Sequence, residues 1–169
     1  MTTWFTADWH MGHHNIIKYA NRHPFSDVFV MGEKILTYYN QRVSDNDRVF
    51  FLGDLAFNPL IAEHTLKHMK GKIHFIMGNH DYRSRKEIEK HCKSVNNLLT
   101  IEIEGQKIVL CHYAMRVWDQ SHHGSWQLYA HSHGKLPPQE RQWDVGVDNN
   151  NYSPVSFDKI REIITGESK

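Results

Sequence analysis

Residues 48–54 read Arg-Val-Phe-Phe-Leu-Gly-Asp, an apolar run that ends abruptly in a glycine and a carboxylate. The run is short and rich in β-branched and aromatic residues, which predicts a buried strand from Arg48 to Leu52. The pattern returns at residues 73–79, Ile-His-Phe-Ile-Met-Gly-Asn, and predicts a second strand from Ile73 to Met77. In both places a polar side chain follows the strand end, where the loops of an α/β sheet converge and bind ligands.

Around these two strands, the first half of the chain alternates between strand-like and helix-like stretches, and the second half is mostly strand-like. In the first half we expect a strand from Thr3 to Ala7, an amphipathic stretch from Asn15 to Ala20, helices from Val28 to Arg42 and from Leu60 to Met69, and a helix opened by a Ser84-x-x-Glu87 capping box and running towards His91. In the second half we expect strands from Leu99 to Ile103, Lys107 to Cys111, Trp126 to Ala130 and Trp143 to Val147, and a last helix from Ser156 to Ile164.

A βαβαβα half followed by a mostly antiparallel half predicts an α/β fold of two packed sheets. No linker, repeat or low-complexity segment interrupts the chain, so we expect one domain over residues 1–169. Lys and Arg (20) nearly balance Asp and Glu (19), which disfavours an extended basic track for long nucleic acid.

No signal peptide fits the N-terminus, and no apolar run approaches the length of a membrane span. The two cysteines, Cys92 and Cys111, follow no zinc or redox spacing. We therefore expect a cytoplasmic protein that does not associate with membranes. The charge balance says nothing about the oligomeric state.

Histidine is unusually frequent, with 14 residues where uniform usage would give roughly eight. Several of these histidines, together with two aspartates and an asparagine, follow the ends of five expected strands. The residues in question are Asp8, His10, Asp54, Asn79, His112, His131 and His133. Each short motif alone is weak, since Asp-x-His can cap a helix and Gly-Asp can be a simple turn. Five strands that deliver such side chains to one edge are hard to explain by packing.

The donor set is imidazole, carboxylate and amide oxygen without thiolate, which suits Mn, Fe, Zn, Ni or Co. Seven donors exceed what one tetrahedral ion needs. Two divalent ions that share a carboxylate explain the number, and Asp54 is our choice for the bridge because it follows a central strand.

The order of these motifs resembles that of the calcineurin-like metallophosphoesterases. The matching blocks are Asp8-x-His10, Gly53-Asp54, Gly78-Asn79-His80-Asp81, His112 and His131-x-His133, and the tail Val145-Gly146-Val147-Asp148 with Ser153-Pro154 is similar to small bacterial and phage-type members. The resemblance implies a β-sandwich of two sheets flanked by helices on both sides, in four layers, and hydrolysis of phosphate mono- or diesters.

The resemblance also implies roles for individual residues. It assigns Asp8, His10, Asp54 and His133 to one metal ion, and Asp54, Asn79, His112 and His131 to the other. His80 would protonate the leaving group after attack by a water held between the two ions. Apart from the resemblance, we expect His13, which follows the first ligand pair, and Arg116, whose guanidinium suits phosphate geometry, to contact the substrate phosphate.

One departure from the family pattern bears on the class of substrate. Leu55-Ala56-Phe57 stands where the protein serine/threonine phosphatases carry an Asp-Arg pair, which argues against a phosphoprotein. We expect a small phosphate ester, with a nucleotide favoured, and a loop at residues 113–125 that contacts it. The alternative function is a protein-binding scaffold of the same fold with a damaged metal site, but no candidate ligand position is lost here.

Overall fold

The computed structural model describes residues 1–137 and 139–166. Residues 138 and 167–169 of the expected domain lie outside the described residues. The strands are β1 (Thr3–Thr6), β2 (Arg48–Phe51), β3 (Lys72–Ile76), β4 (Ser94–Asn96), β5 (Leu98–Ile103), β6 (Gln106–Cys111), β7 (Trp126–Tyr129), β8 (Gln142–Asp144) and β9 (Val155–Ser156). The helices are α1 (Ile16–Tyr19), α2 (Val28–Arg42), α3 (Pro59–His68), α4 (Arg85–His91) and α5 (Phe157–Thr165). The predicted elements are confirmed to within one or two residues for most of these segments.

The first sheet has the strand order β4-β3-β2-β1-β9, and all of its pairs are parallel except that of β1 with β9. Side chains alternate between its two faces, as a strand requires. Val49 and Phe51 pack with the helices, whereas Phe50 and Leu52 face the second sheet. Because β1, β2 and β3 run in parallel, their carboxyl ends meet at one edge.

Helices α1 to α4 cover the outer face of this sheet, and the start of α2 follows a local rule. The carboxylate of Asp27 accepts hydrogen bonds from the amides of Phe29 and Val30, which begins α2. The capping box predicted at Ser84 is wrong in its chemistry, although α4 begins there. The Ser84 hydroxyl donates instead to the carbonyl of Ala56, so it fastens two loops together rather than capping the helix.

The second sheet has the order β5-β6-β7-β8. Only β5 and β6 pair antiparallel, as a hairpin; β6 with β7 and β7 with β8 are parallel. The prediction of a mostly antiparallel second half is therefore wrong. Parallel neighbours need a long crossover, and residues 112–125 and 130–141 supply one each. Apart from residue 138, these crossovers contain no α-helix, so the usual sign of parallel pairing is missing from the sequence.

The two sheets pack against each other through an apolar cluster that includes Phe5, Phe50, Ile108 and Leu128, and Ile160 of α5 joins it. A second cluster lies between the first sheet and α1 to α4. The chain therefore has the expected α/β fold of two mixed sheets flanked by helices. None of the helices in the described part of the chain is long and apolar enough to cross a membrane.

Candidate metal centre

The candidate ligands follow strand ends, and five of them have a backbone conformation that side chains usually avoid. The φ angles are 58° at Asp8, 53° at His10, 60° at Asp54, 66° at His131 and 50° at His133. A left-handed conformation at a residue other than glycine costs energy and persists only where the surrounding structure enforces it. Its repetition at five neighbouring positions is typical of a functional site.

One carboxylate oxygen is the focus of the cluster. Oδ2 of Asp54 lies 3.7 Å from Nε2 of His10, 3.4 Å from Nε2 of His112 and 3.9 Å from Nε2 of His80. The other oxygen, Oδ1, accepts a hydrogen bond from the backbone amide of His80 at 3.0 Å. Asp54 is thus held by one oxygen while the other faces three imidazole nitrogens.

Two groups of donor atoms in the described residues are close enough together to hold a metal ion, and they share Asp54. One group consists of His10, Asp54 and His80, and the other of Asp54, His112 and His131. The second matches three members of an ion site expected from the sequence. The first has His80 beside His10, so the geometry leaves two roles open for His80, ligand or acid.

His112 is oriented by the backbone. Its Nδ1 lies 2.7 Å from the carbonyl oxygen of Leu52, to which it donates, so Nε2 is directed towards the centre. The amide oxygen of Asn79 lies 3.2 Å from this Nε2. The structure therefore brings Asn79 and His112 together on the same side of Asp54.

Two buried polar atoms at the centre lack a hydrogen-bond partner among the described residues. Oδ1 of Asp8 and Nε2 of His10 are both in this state, although Oδ2 of Asp8 accepts the amide of His131 at 2.8 Å. A buried polar atom without a partner costs free energy unless a ligand satisfies it. Both atoms are metal-donor types, so the residues present fit divalent ions.

The electrostatics of the protein groups agree with a site made for cations. Burial raises the pKa of Asp8 to about 7. Burial also raises the pKa of Asp54, but the His112 hydrogen bond and nearby imidazole charges lower it to about 2. Burial lowers the pKa of His112, whereas hydrogen bonding and charge attraction to Asp54 raise it to about 9. Burial holds the pKa of His10 well below its ordinary value.

Asp81 fastens the loops that carry Asp54 and Asn79. Its carboxylate accepts hydrogen bonds from the amides of Asp54 (2.7 Å), Leu55 (2.9 Å) and Gly78 (2.8 Å). Asp81 therefore holds these two loops together at the centre. A Cβ on Gly78 would lie 2.2 Å from Oδ1 of Asp54, so the close approach of the loops requires glycine there.

A buried chain of charges supports the other side of the centre. Nδ1 of His133 lies 2.7 Å from Oδ2 of Asp148, and that carboxylate binds Nε and Nη2 of Arg22, both at 2.7 Å. Arg22 is fully buried and also donates to the backbone carbonyls of Asp8 and Trp9. The sequence reasoning missed both Arg22 and the role of Asp148. A position in a loop between two helices carries no local signal for such a contact.

The remaining candidates occupy different places. The ring of His13 lies 5.8 Å from that of His10 and 4.5 Å from that of Phe57, so it borders the centre. Arg116 lines a separate cavity with Tyr129 and Gln142, and that cavity contains none of the candidate ligands. Of the loop at 113–125, Tyr113 reaches the centre, with its ring 4.9 Å from that of His131.

Comparison with known families decides the classification. The sequence model of the calcineurin-like phosphoesterase superfamily domain matches residues 4–140. The chain belongs to this superfamily. The expected resemblance to this superfamily is confirmed, and the matched range includes the positions of all seven candidate ligands and His80.

Individual proteins are similar to this superfamily member in sequence or in structure. An uncharacterised protein of Methanocaldococcus jannaschii is 34% identical over 168 residues, which is 94% of this chain and 88% of that protein. A protein of unknown function from Aquifex aeolicus has a similar structure, with a TM-score of 0.74, 21% identity and coverage of 96% of this chain and 99% of that one. A structure described as a novel archaeal phosphodiesterase gives a TM-score of 0.53 at 14% identity, over 86% of this chain and 82% of that one.

Proposed function

We propose that the chain is a metal-dependent hydrolase of small phosphate esters, either a phosphatase or a phosphodiesterase. The observation that carries the proposal is the sharing of Asp54 between two donor groups, one with His10 and the other with His112 and His131. Membership of the phosphoesterase superfamily supports the same reaction class. When bound, two divalent ions would activate a water and neutralise the phosphate charge.

The residues of the chain would have separate roles in metal binding and in proton transfer. One ion would take Asp8, His10, Asp54 and His133, and the other Asp54, Asn79, His112 and His131. The Nε2 atom of His80 would hold the proton that passes to the departing ester oxygen. Its side chain is about one-third exposed, so a substrate can reach it, whereas Asp8, His10 and His112 are buried.

Two further residues would contact the substrate phosphate. Nδ1 of His13 is buried without a partner among the described residues, next to His10, and suits a phosphate oxygen. Arg116 remains a proposed contact, although it lines a cavity apart from the candidate ligands. A protein-binding scaffold with a damaged site is disfavoured, because each expected ligand type is present.

Metal removal tests the function. The purified protein should hydrolyse p-nitrophenyl phosphate or bis(p-nitrophenyl) phosphate, lose the activity on dialysis against a chelator, and regain it with Mn(II) or another divalent ion of the expected set. Full activity of the chelator-treated protein, with metal content near zero by elemental analysis, would refute a metal-dependent mechanism. Absence of hydrolysis with all tested metals and both esters would favour the scaffold.

A further inference from the structure

A cavity of about 590 Å³ opens beside His80. It is lined by Phe57, Asn79, His80, Tyr82 and Arg83. Small-molecule sites commonly have volumes of roughly 300–1,000 Å³, so the space suits a group of nucleoside size. Two of its lining residues, Asn79 and His80, belong to the candidate centre, so the cavity is continuous with the place where the ester would react.

Aromatic rings form part of the lining. The ring of Phe57 meets that of His80 edge to face, with centroids 4.2 Å apart and planes at 88°. Tyr82 is 64% exposed, which is unusual for a large ring that borders a cavity beside a candidate active site. Exposed aromatic rings at such positions stack the flat faces of nucleobases with little regard to base identity.

The cavity also has an available guanidinium group. Within residues 1–137 and 139–166, the side chain of Arg83 makes no hydrogen bond or ion pair, unlike Arg22, Arg85 and Arg161. A guanidinium group stacks on aromatic faces and donates to the acceptor atoms of base edges. Arg83 therefore adds a contact that an aliphatic leaving group could not use.

The lining is held on two fastened segments. Asp81 accepts amide hydrogen bonds from Asp54 and Leu55, and the Ser84 hydroxyl donates to Ala56 at 3.3 Å. These bonds join the segment that precedes Phe57 to the segment that contains Tyr82 and Arg83. A subsite built in this way needs little reorganisation to bind a ligand.

We infer that this cavity is the leaving-group subsite of the enzyme, and that it takes the nucleoside part of a nucleotide ester. The inference rests on the proposed function, because His80 would stand next to the departing oxygen. As water attacks, its oxygen bonds to phosphorus and the bond from phosphorus to the nucleoside oxygen breaks. The bond electrons stay on that oxygen, His80 supplies its proton, and the surplus proton of the water passes to solvent.

Adenosine binding tests the subsite independently of turnover. Dissociation constants of adenosine, and of ribose as a sugar without a base, are measured by NMR titration of the metal-loaded protein. Tyr82→Ala should weaken adenosine binding about tenfold, which is the scale of one lost base-stacking contact, and Tyr82→Phe should bind as the wild type does. Arg83→Gln should weaken adenosine binding by a smaller factor. Phe29→Ala removes a ring of similar exposure on α2, outside the cavity, and should change nothing.

Hydrolysis of the p-nitrophenyl esters is measured on the same samples and reports on the proposed function alone. If the esters are hydrolysed but adenosine binds no better than ribose, or equally well to Tyr82→Ala, the subsite is wrong and the enzyme class stands. If adenosine binding depends on Tyr82 and no ester is hydrolysed, the function is wrong. If Arg116→Gln loses adenosine binding while Tyr82→Ala retains it, the nucleoside binds at the loop 113–125. That result would overturn the inference.

Discussion

Nδ1 of His133 donates a hydrogen bond to Oδ2 of Asp148 across 2.7 Å, and Arg22 holds the same carboxylate in a two-point ion pair. The donation fixes the tautomer, so that Nε2 of His133 presents a lone pair. Since Arg22 also binds the carbonyl of Asp8, one buried guanidinium sets the positions of two proposed ligands. This support is part of the centre, although neither Arg22 nor Asp148 is a proposed metal ligand.

Asp148→Asn should therefore weaken metal binding. We expect a loss of affinity of about 10–100-fold for one of two ions, the range found when outer-shell partners of metal ligands are replaced. Competition with a chelating dye measures it. Asp45→Asn, at an exposed aspartate, is the control and should keep both affinities. Asp148→Asn also leaves the buried Arg22 without its charge partner. Near-UV circular dichroism must therefore first show that the Asp148→Asn variant is folded. Unchanged affinities in that folded variant would exclude the positioning role.

Because Asp54 is shared by both proposed ion sites, its replacement should have a larger effect than replacement of a ligand to one ion. Its Oδ2 faces donors of both proposed ion sites, whereas His133 belongs to one. Asp54→Asn should lose both metal ions and nearly all activity, and His133→Ala should retain about one ion per chain. Elemental analysis after gel filtration gives the stoichiometry. Equal metal contents and equal residual activities in the two variants would argue against a bridging carboxylate.

Gly78→Ala should displace Asp54 and thereby damage the centre. The φ angle of Gly78 is not in the left-handed region, so alanine can adopt it, but the new Cβ would lie 2.2 Å from Oδ1 and 2.6 Å from the backbone nitrogen of Asp54. Gly32→Ala is the matched control, since its Cβ would meet only the flexible Met11 side chain, at 3.0 Å. We expect loss of bound metal in Gly78→Ala and none in Gly32→Ala. Full metal content in a folded Gly78→Ala variant would show that the position of Asp54 can shift without loss of metal binding.

Asp47 predicts a pH-dependent contribution to stability far from the centre. Its carboxylate accepts hydrogen bonds from the amide of Thr2 (2.7 Å), the amide of Ser44 (3.0 Å) and the indole of Trp4 (3.2 Å). Burial raises the pKa of Asp47, but these hydrogen bonds lower it below its ordinary value of 3.8. An acid with a lowered pKa in the folded state stabilises that state above the unfolded pKa and loses this effect as the pH falls through the folded pKa.

Asp47→Asn should accordingly lower the free energy of unfolding at pH 7 by about 1–3 kcal/mol. The difference from the wild type should narrow as the pH falls below about 4. Urea unfolding at pH 7 and pH 3 measures both values. The exposed neighbour Asp45 is again the control, and Asp45→Asn should change neither. A difference that stays constant with pH would show that the charge of Asp47 is not responsible.

The sequence predicted those parts of the molecule that depend on local pattern. The run from Arg48 to Leu52 and the one from Ile73 to Met77 form strands because short apolar runs bury well in a parallel sheet. Their Gly-Asp54 and Gly-Asn79 endings then lie at one edge, since strand direction is shared. The candidate ligands follow from this geometry without any knowledge of the loops between the strands.

Other parts depend on contacts between distant segments and were not predictable. The parallel pairing of β7 with both of its neighbours has no sign in the sequence, because its crossovers lack the usual helix in their described residues. Arg22 and Asp148 are 126 positions apart, and neither position shows a periodic or capping signal. Likewise Arg116 follows Arg83 by 33 positions, and only the folded structure shows that the two side chains line different cavities.

His80 has two possible roles, and the structure makes them testable. Its Nε2 lies 3.9 Å from Oδ2 of Asp54, within a donor group that also includes His10, so it could bind an ion. Its side chain is also partly exposed and lines the cavity with Tyr82, which suits a proton donor to a leaving group. We favour the acid, because Nε2 of His10 and Oδ1 of Asp8 are buried without partners among the described residues and supply donors for that ion without His80.

His80→Ala should then keep two metal ions per chain and lose turnover by a factor on the order of hundreds. The loss should be smaller for an ester that releases p-nitrophenolate than for one that releases an alkyl alcohol, because p-nitrophenolate leaves without a proton. His64→Ala, on the exposed face of α3, is the control and should retain full rates. Elemental analysis and single-turnover rates for both esters are needed. A variant that loses an ion, and whose rates fall equally for the two leaving groups, would identify His80 as a ligand.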